Sequence, residues 1–434
     1  MKLELATFPV EDVKFGNQTR YQRGILELNK DELVKLILDN KMVASADLDI
    51  AFPGEQTRIV KVRDAVEPRI KVSGPGCIFP GIMGPLVTVG EGKTNRLSGV
   101  TVMPSAEYSP TIIGGTAAQA SGMVDMWGPG AHLTPFGKTI NIVPLFQLVE
   151  GVSEIEAHNT IQMIEFKIAH RLAETTLNLK PQKIQAFELF EVDPSLPRVV
   201  CIQTILTTWH EPHSGVAYYG LPIRESLSTL LHPNELFDGA LTTDNRRGSG
   251  VYETTWTWQN HPVLHELFDR HGKELNFLGI IAQRVRFESE FGKRITGLAA
   301  SQMAKLLGAD GAIILRHHVS GNTFTDIMLT VQACEKKGIK TVLMTPEWGG
   351  KGSESPLVFY VPEATAMVSN GSFERDIKVP VPTKIIGVGD YQLVEGQDGD
   401  KPFSPIGELT LPSAILITSG IDWFGYLDMT SIQY

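Results

Sequence analysis

The stretch "GLAASQMAKLLGADGAIILR", residues 297–316, predicts a helix followed directly by a buried strand. Its first part is a helical pattern closed by glycine, and "AIILR" is an apolar run of strand length. The same alternation surrounds it: "LNFLGIIAQ" (275–283) and "TVLMTPEW" (341–348) are strand-like, and "TFTDIMLTVQACEKKG" (323–338) is helical. Repeated strand–helix–strand order predicts a parallel sheet with right-handed crossovers.

The rest of the chain divides around this pattern. Residues 263–434 are predicted to form the parallel-sheet domain, with "TKIIGVG" (383–389) and "SAILIT" (413–418) as further strands. Residues 1–150 are rich in glycine, proline and short β-type runs, which predicts a β-rich N-terminal domain with one helix at 30–40. The fold class is therefore α/β, a β-rich N-terminal domain plus a C-terminal doubly wound parallel-sheet domain.

Residues 151–262 are predicted to form a middle segment. It opens with a long helix on which Ile161, Ile164, Ile168 and Leu172 share one face. Strands near 183–192 and 198–207 follow, and the stretch from about 209 to 260 is expected to be irregular and to carry the active site.

Composition limits the classes of function. The chain has 434 residues, 42% of them hydrophobic, as in globular proteins. A net charge of −10 repels phosphate backbones, which argues against a nucleic-acid partner. No run approaches the roughly 18 apolar residues of a membrane span, and the N-terminus lacks the apolar core of a signal peptide. Three scattered cysteines indicate a reducing compartment and disfavour a thiolate metal site. We therefore expect a cytoplasmic protein without a membrane partner.

Two histidine pairs are candidate metal ligands. "TTWHEPHSG" (207–215) holds His210 and His213 beside Glu211, and Pro212 excludes the helical metalloprotease geometry. Imidazoles with a carboxylate suit zinc or iron. The alternative is a pair of surface or hydrogen-bonding histidines.

The second pair, His317 and His318, follows the buried strand "AIIL". Ligands bind at the carboxyl ends of strands in open parallel sheets, which favours a functional role. Adjacent strand residues point to opposite faces, so three ligands are expected rather than four. In the alternative, one histidine bonds to the backbone and the other is solvated.

Two further motifs are ambiguous. Trp209, Trp256, Trp258 and Trp348 could form an aromatic cage for a cation, although most tryptophans belong to cores and interfaces. "GEGKT" (90–94) lacks the first glycine of a phosphate-binding loop, and a glycine-rich hairpin is the better interpretation.

Several segments, in the same order, resemble a known family. It is the proprotein subunit of component B of the glycine, sarcosine and betaine reductases, related to the D-proline reductase proprotein. The resemblance runs from residue 1 to about residue 388. The segments that carry it are "KVSGPGCIFPG" (71–81), "VDMWGPGAHLTPFGKTINIV" (124–143), "HPNELFDGALTTDN" (232–245), "NHPVLHELFDRHGKELNFLGII" (260–281), "AKLLGADGAIIL" (304–315) and "EKKGIKTVLMT" (335–345).

The resemblance implies a cleavage site that this chain lacks. Family members of the reductase type cleave themselves at an Asn-Cys bond, and the cysteine becomes a pyruvoyl group. Asn245 matches the asparagine, but Arg246 follows it. No pyruvoyl group is therefore expected. Cleavage at Ser249 is the alternative, and its hydroxyl is a weaker nucleophile in a shifted position.

The predicted site combines these residues. Arg246 and Arg247, with Trp209, are expected to bind the carboxylate of a small substrate, unless the arginines are merely solvated. Glu211 and His132 are the candidate acid–base residues. His132 stands where the resemblance leads us to expect an acidic residue. A zinc or iron ion on His210, His213, His317 and His318 would polarise the substrate or activate water.

Three functions stay open at this stage. The first is an enzyme that cleaves a C–N or related bond in a small nitrogen-containing substrate by hydrolysis, elimination or reduction. The second is a reductase subunit that acts with a thiol or selenol partner. The third is a non-catalytic scaffold. Assembly with itself or with a sister reductase subunit is expected in each case.

Overall fold

The computed structural model describes residues 1–107, 122–207, 215–223, 226–244, 253–317, 321–347, 359–372, 374–389 and 404–427. Among the helices within these ranges, none is both long and apolar enough to cross a membrane. The elements of the first 150 residues are β1 (Lys2–Pro9), β2 (Asp12–Phe15), β3 (Arg20–Gln22), β4 (Ile25–Leu28), α1 (Lys30–Leu38), β5 (Val43–Ala51), β6 (Thr57–Val62), β7 (Arg69–Ser73), β8 (Gly92–Ser98), β9 (Val100–Val102), β10 (Ser105–Glu107), β11 (Gly122–Asp125), α2 (Gly128–Ala131) and β12 (Ile140–Leu148).

This N-terminal part is rich in β-structure, as the sequence predicted. One mixed sheet has the order β11-β6-β10-β12-β5, and another places β1 between β8 and a later strand. The "GEGKT" stretch enters β8, which confirms that it is not a phosphate-binding loop. Helix α1 begins after Asn29, whose side chain accepts a hydrogen bond from the backbone N–H of Glu32.

The middle of the chain contains more regular structure than predicted. The stretch expected to be irregular holds short strands and helices. The elements here are α3 (Glu154–Glu174), β13 (Lys183–Glu188), β14 (Arg198–Leu206), β15 (Gly215–Tyr218), β16 (Leu221–Pro222), β17 (Ser228–Leu231), α4 (Pro233–Phe237), β18 (Leu241–Asp244), α5 (Thr255–Gln259) and α6 (Pro262–Arg270).

Helix α3 forms where the sequence predicted a long helix. Ser153 and Glu156 form a reciprocal capping box that starts it. The predicted apolar face is buried in one hydrophobic cluster with strands and α1 of the N-terminal part. This packing fixes α3 against the N-terminal part of the chain.

The last part carries the predicted alternation of strands and helices. Its elements are β19 (Asn276–Val285), α7 (Glu290–Leu306), β20 (Gly311–Leu315), α8 (Gly321–Glu335), β21 (Lys340–Glu347), β22 (Met367–Ser372), β23 (Glu374–Val379), β24 (Lys384–Ile386) and β25 (Leu409–Ser413).

A six-stranded sheet organises these elements in the order β17-β19-β14-β20-β21-β22. β19, β14, β20, β21 and β22 are parallel neighbours, and β17 runs antiparallel to β19. Alternate residues of β14 enter different cores, since Val200 and Ile202 pack with α7 and α8, whereas Cys201 and Ile205 pack on the other face. The sheet is therefore buried on both faces, as parallel sheets require.

Two predicted strands do not extend this sheet. β24, within "TKIIGVG", pairs with β6 of the N-terminal sheet. "SAILIT" turns into a 3-10 helix at Ala414–Leu416, and β25 before it pairs with β23. Pairings of β13 with β1 and of β14 with β19 likewise join residues from different predicted domains. The division at 1–150, 151–262 and 263–434 stays a prediction.

Candidate functional site

The candidate site lies at the carboxyl edge of the six-stranded sheet. The carboxyl ends of β14, β20 and β21 lie side by side because these strands are parallel neighbours. The chain continues from these ends into 208–214, 318–320 and 348–358, which lie outside the described residues. Crevices at this edge bind ligands in open α/β sheets.

His317 lies at this edge and is fully buried. Its Nδ1 accepts a hydrogen bond from the backbone N–H of Leu206 at 3.2 Å, and the backbone N–H of His317 donates to Thr204 Oγ1 at 2.9 Å. Its ring meets Trp258 and Trp423 edge to face, with centroids 5.8 and 5.6 Å away. Burial lowers the pKa of His317 to about 3, so the ring is neutral at physiological pH.

The bond from Leu206 bears on the predicted metal role of His317. A neutral ring that accepts at Nδ1 carries its proton on Nε2. Neither nitrogen then offers a lone pair to a metal while that bond is kept. Among the described residues, no group of three or more histidines, cysteines, aspartates or glutamates could hold a metal ion. Zinc or iron binding stays a prediction.

Two segments with predicted site residues depart from one point. Thr207, at the end of β14, forms a bridge with Gly215, and Gly215 pairs with Asp244 at the end of β18. Segments 208–214 and 245–252 therefore share an anchor at the carboxyl edge. The predicted site residues on these two segments lie outside the described residues, and so does His318. Those on the segments are Trp209, His210, Glu211, His213, Asn245, Arg246, Arg247 and Ser249.

Thr243, two residues before Asn245, is held from three sides. Its N–H donates to Thr255 Oγ1 at 3.0 Å, and Trp258 Nε1 donates to its hydroxyl at 2.9 Å. Gln162 of α3 donates to its carbonyl at 3.4 Å. Thr255 in turn donates to Asp64 from its backbone N–H at 2.9 Å and from its hydroxyl at 2.5 Å. The chain that enters 245–252 is thus rigidly positioned.

The C-terminal segment 417–427 packs against buried residues at the carboxyl edge of the sheet. Phe424 stacks on His261, with centroids 4.3 Å apart and planes 13° apart. His261 Nε2 lies 3.1 Å from Gln203 Oε1 of β14, and burial lowers its pKa to about 3. Asp422 shapes the segment by accepting backbone N–H bonds, including that of Gly425 at 2.6 Å. Aromatic rings and neutral imidazoles therefore line this part of the carboxyl edge, and together they form its wall.

Glu253 is the first described residue after 245–252. Its side chain is fully buried and accepts a hydrogen bond from the Tyr426 hydroxyl at 3.2 Å. Burial, with the nearby charge of Asp422 adding to it, raises the pKa of Glu253 well above its usual value. Burial thus favours the protonated form of this carboxyl, which directly follows the segment in sequence.

Sequence reasoning missed most of this wall. The turn pattern of "GIDWFGY" was the available signal, since an aspartate before a glycine favours a local turn. No local pattern shows that this turn lies against β14 and β20. The missed residues are Gln203, Glu253, His261, Asp422, Trp423, Phe424 and Tyr426.

The catalytic role of His132 stays a prediction. His132 is exposed at the end of α2, and α2 packs on β11 and β23, which belong to other sheets. Of the predicted aromatic cage, Trp258 is fully buried and Trp256 packs on Phe136 at 5.6 Å. Trp209 and Trp348 lie outside the described residues. Trp256 and Trp258 thus pack in the interior, and the cage stays a prediction.

The three cysteines are free thiols in separate places. Cys201 in β14 and Cys334 in α8 are buried, and burial raises the pKa of each to about 12. Cys77 is half-buried, and burial, with the charge of Asp238, raises its pKa as well. Thiols with raised pKa values are poor nucleophiles at neutral pH.

The fold and the edge define an α/β protein with a buried aromatic wall at the carboxyl ends of a parallel sheet. The chain belongs to the family described as glycine/sarcosine/betaine reductase component B subunits, whose model matches residues 1–404. It is 35% identical to the glycine reductase complex component B subunits alpha and beta of Acetoanaerobium sticklandii, over 100% of both chains.

Two further relatives come from Peptoclostridium acidaminophilum. The sarcosine reductase complex component B subunit alpha is 32% identical over 90% of this chain and 90% of its own length. The betaine reductase complex component B subunit alpha is 32% identical over 92% of this chain and 90% of its own length. No solved structure matches.

Proposed function

We propose that this chain is a component-B-type subunit of a reductase complex that binds a small, carboxylated, nitrogen-containing substrate at the carboxyl edge and takes part in cleaving its C–N bond. Its full-length match to component B subunits carries the proposal. The shared anchor of 208–214 and 245–252 supports the location, because both segments leave from the edge where α/β sheets bind ligands.

The pyruvoyl group that the family resemblance implies does not fit this chain. Its precursor is a cysteine after the asparagine, and Arg246 stands there. The thiols of Cys201 and Cys334 are buried in β14 and α8, far along the chain from Asn245. We therefore propose that the chain works uncleaved and that Arg246 and Arg247 hold the substrate carboxylate through charge-assisted hydrogen bonds.

The chain's own residues suggest how the leaving amine is handled. A neutral amine leaves a C–N bond readily only when its nitrogen takes up a proton, whereas a quaternary nitrogen leaves without one. Glu253 is buried, accepts a hydrogen bond from Tyr426 and directly follows the segment with both arginines, and burial favours its protonated form. We propose that it serves as a proton donor there, while the aromatic wall of Trp258, Trp423 and Phe424 keeps water out.

Calorimetric titration with glycine, sarcosine and betaine tests this function. These compounds are taken from the names of the relatives. We expect at least one to bind, and Arg246→Ala/Arg247→Ala to weaken it about 10- to 100-fold, the value of one or two charge-assisted hydrogen bonds. Arg294→Ala, which removes an exposed arginine of α7, is the control. Absence of binding by all three, or equal affinities of the two variants, would contradict the proposal.

Chain integrity provides an independent check. The intact mass of protein purified from its native source should be 47.7 kDa, and the chain should not react with a hydrazine probe for carbonyl groups. Two fragments that separate at Asn245 or at Ser249 would contradict an uncleaved subunit.

A further inference from the structure

Helix α7 has small residues on its buried side and large apolar residues on its exposed side. A Cβ on Gly297 would lie 3.1–3.3 Å from atoms of Thr330, so α7 and α8 approach each other closely. A helix that packs only on its own fold carries its large apolar residues inward. The outward side of α7 therefore needs an explanation of its own. The small buried residues are Thr296, Gly297, Ala300, Ser301 and Ala304.

The exposed apolar residues of α7 form a continuous stripe. Phe291, Leu298 and Leu306 are 75%, 50% and 79% exposed, and Ile295 between them is partly buried. At 3.6 residues per turn these four positions fall within about 80° of arc, over a length of roughly 22 Å. Single exposed apolar residues are common on protein surfaces, whereas contiguous ones mark an interaction surface. We call these four residues the outer stripe of α7.

The outer stripe lies at one end of the six-stranded sheet. β17 is the last strand on that side, and Ser228 of β17 lies within 3.5 Å of the carbonyl oxygen of Thr296 in α7. Leu230 of β17 is paired with Ile281, which belongs to the core under α7 and α8, so the Leu230 side chain is on the same face of the sheet as α7. Leu230 is itself 48% exposed. A second chain can therefore reach the outer stripe from the end of the sheet.

The spacing of the outer stripe is self-complementary. Leu298 lies near its middle, with Phe291 seven residues before it and Leu306 eight residues after it. If a two-fold axis passes beside Leu298, two copies of α7 run antiparallel. Phe291 then lies against Leu306 of the second copy, and the two Leu298 side chains meet. An interface between identical chains about a two-fold axis requires such a match of a surface with itself.

The charges at the ends of α7 fit the same arrangement. Glu290 at the start and Lys305 near the end are both exposed, and the helical period puts them on the same flank of the outer stripe. Antiparallel helices bring equal flanks together, so Glu290 of one copy faces Lys305 of the other. Both bonds that Glu290 accepts from Arg294 go to Oε1, which leaves Oε2 for a further bond. A parallel pair would instead set Glu290 against Glu290.

We propose that the outer stripe of α7 is the interface of a two-fold homodimer in which two copies of α7 pack antiparallel. Phe291 and Leu306 form its two ends, and Leu298 lies at its centre. Burial of these side chains supplies the association energy, and the Glu290–Lys305 pairs set the direction of the helices. The dimer requires neither substrate nor cleavage of the chain, so its test does not depend on the proposed function.

Light scattering on the purified full-length chain at about 10 μM tests the dimer. We expect wild type to have twice the mass of the 47.7 kDa chain. Phe291→Glu and Leu298→Glu should each raise the dissociation constant at least about 30-fold, the effect of losing a central apolar contact. Leu86→Glu is the matched control, because Leu86 is 74% exposed and lies outside α7. A monomeric wild type, or a dimer that both variants leave intact, would overturn the proposal.

A charge exchange tests the direction of the helices. Glu290→Lys places a lysine against Lys305 of the second copy and should weaken the dimer about fivefold or more, since the contact occurs twice. Glu290→Lys/Lys305→Glu restores opposite charges and should return the dissociation constant to near the wild-type value. A double variant that dimerises as weakly as Glu290→Lys would overturn the antiparallel arrangement.

A cysteine at the centre of the outer stripe gives a readout that needs no charge in the interface. Leu298→Cys places two thiols beside the two-fold axis, within the distance that a disulfide spans. Mild oxidation should link most Leu298→Cys chains into covalent dimers, whereas Leu86→Cys and wild type should stay unlinked. Absence of the link in Leu298→Cys, or equal linking of Leu86→Cys, would overturn the proposed centre of the interface.

Discussion

The backbone N–H of Leu206 donates a hydrogen bond to Nδ1 of His317, and this bond joins the ends of two neighbouring parallel strands. His317 also lies between Trp258 and Trp423, which cover it from the two other sides. A single imidazole therefore ties β14 and β20 to the C-terminal segment at the place where the candidate site begins.

The first prediction concerns this tie. His317→Ala should lower the free energy of unfolding by about 2–4 kcal/mol, since it leaves a cavity and an unsatisfied N–H of Leu206. His317→Asn, whose side-chain oxygen can accept the same bond, should cost about half as much. Guanidinium denaturation monitored by tryptophan fluorescence measures both. Equal losses in the two variants would show that the bond from Leu206 contributes nothing.

Acid sensitivity is the second prediction. Burial lowers the pKa values of His261, His265 and His317 to about 3 from 6.5. The unfolded chain binds protons at these sites below pH 6.5 and the folded chain does not, so stability is lost as pH falls from about 6.5 toward 3. Each histidine contributes about 1.4 kcal/mol per pH unit in that window.

Urea denaturation at pH 7 and pH 5.5 measures this slope. We expect His261→Gln to reduce it, whereas His170→Gln, which changes a more exposed histidine on α3, should leave it as in wild type. A slope that is the same in all three proteins would contradict the assignment of neutral buried imidazoles.

The third prediction concerns the buried ion pair of Arg58 and Asp125. Both side chains are essentially inaccessible, and Arg58 also donates to the carbonyl of Pro405. Asp125→Asn leaves Arg58 buried without a counter-charge and should cost about 3–5 kcal/mol. Asp310→Asn is the matched control, because its pair with Arg198 is about half exposed and is worth at most about 1 kcal/mol. Thermal unfolding by calorimetry should rank the two variants in this order, and the reverse order would contradict it.

The fourth prediction concerns metal content. The sequence predicts zinc or iron on His210, His213, His317 and His318, and the bond from Leu206 leads us to expect that His317 is not one of the ligands. We expect His317→Asn to keep the wild-type metal-to-protein ratio and His210→Ala or His213→Ala to lower it. Elemental analysis of protein purified without chelator measures the ratio. Wild-type protein without stoichiometric metal would contradict the sequence prediction, and metal loss in His317→Asn would contradict our assignment of its tautomer.

Local patterns predicted the elements whose stability is local. The apolar face of α3, the glycine that closes α7 and the short apolar run of β20 each reflect a period or a cap that a few neighbouring residues define. The parallel pairing of β20 with β21 followed as well, because strand–helix–strand connections favour it, but the insertion of β14 between β19 and β20 was not predicted. The family followed from the order of motifs along the chain.

The candidate site was only partly predictable. His317 was identified from its place after a buried strand, and the structure puts it at the carboxyl edge. The burial of Glu253 and of Glu165 was not predicted, since a lone glutamate in a sequence is most often a solvated side chain. Their burial depends on which elements pack against them, and no spacing along the chain encodes that.

The sequence by itself determined helices α1, α3, α7 and α8, the core strands of the parallel sheet, the family and the absence of a cysteine after Asn245. The tertiary structure decided that β24 joins β6 and that the segment with Trp423 and Phe424 closes the carboxyl edge. The physical reason is the range of the interactions. Capping and periodicity act over a few residues, whereas strand pairing and the burial of an acid depend on contacts between residues hundreds of positions apart.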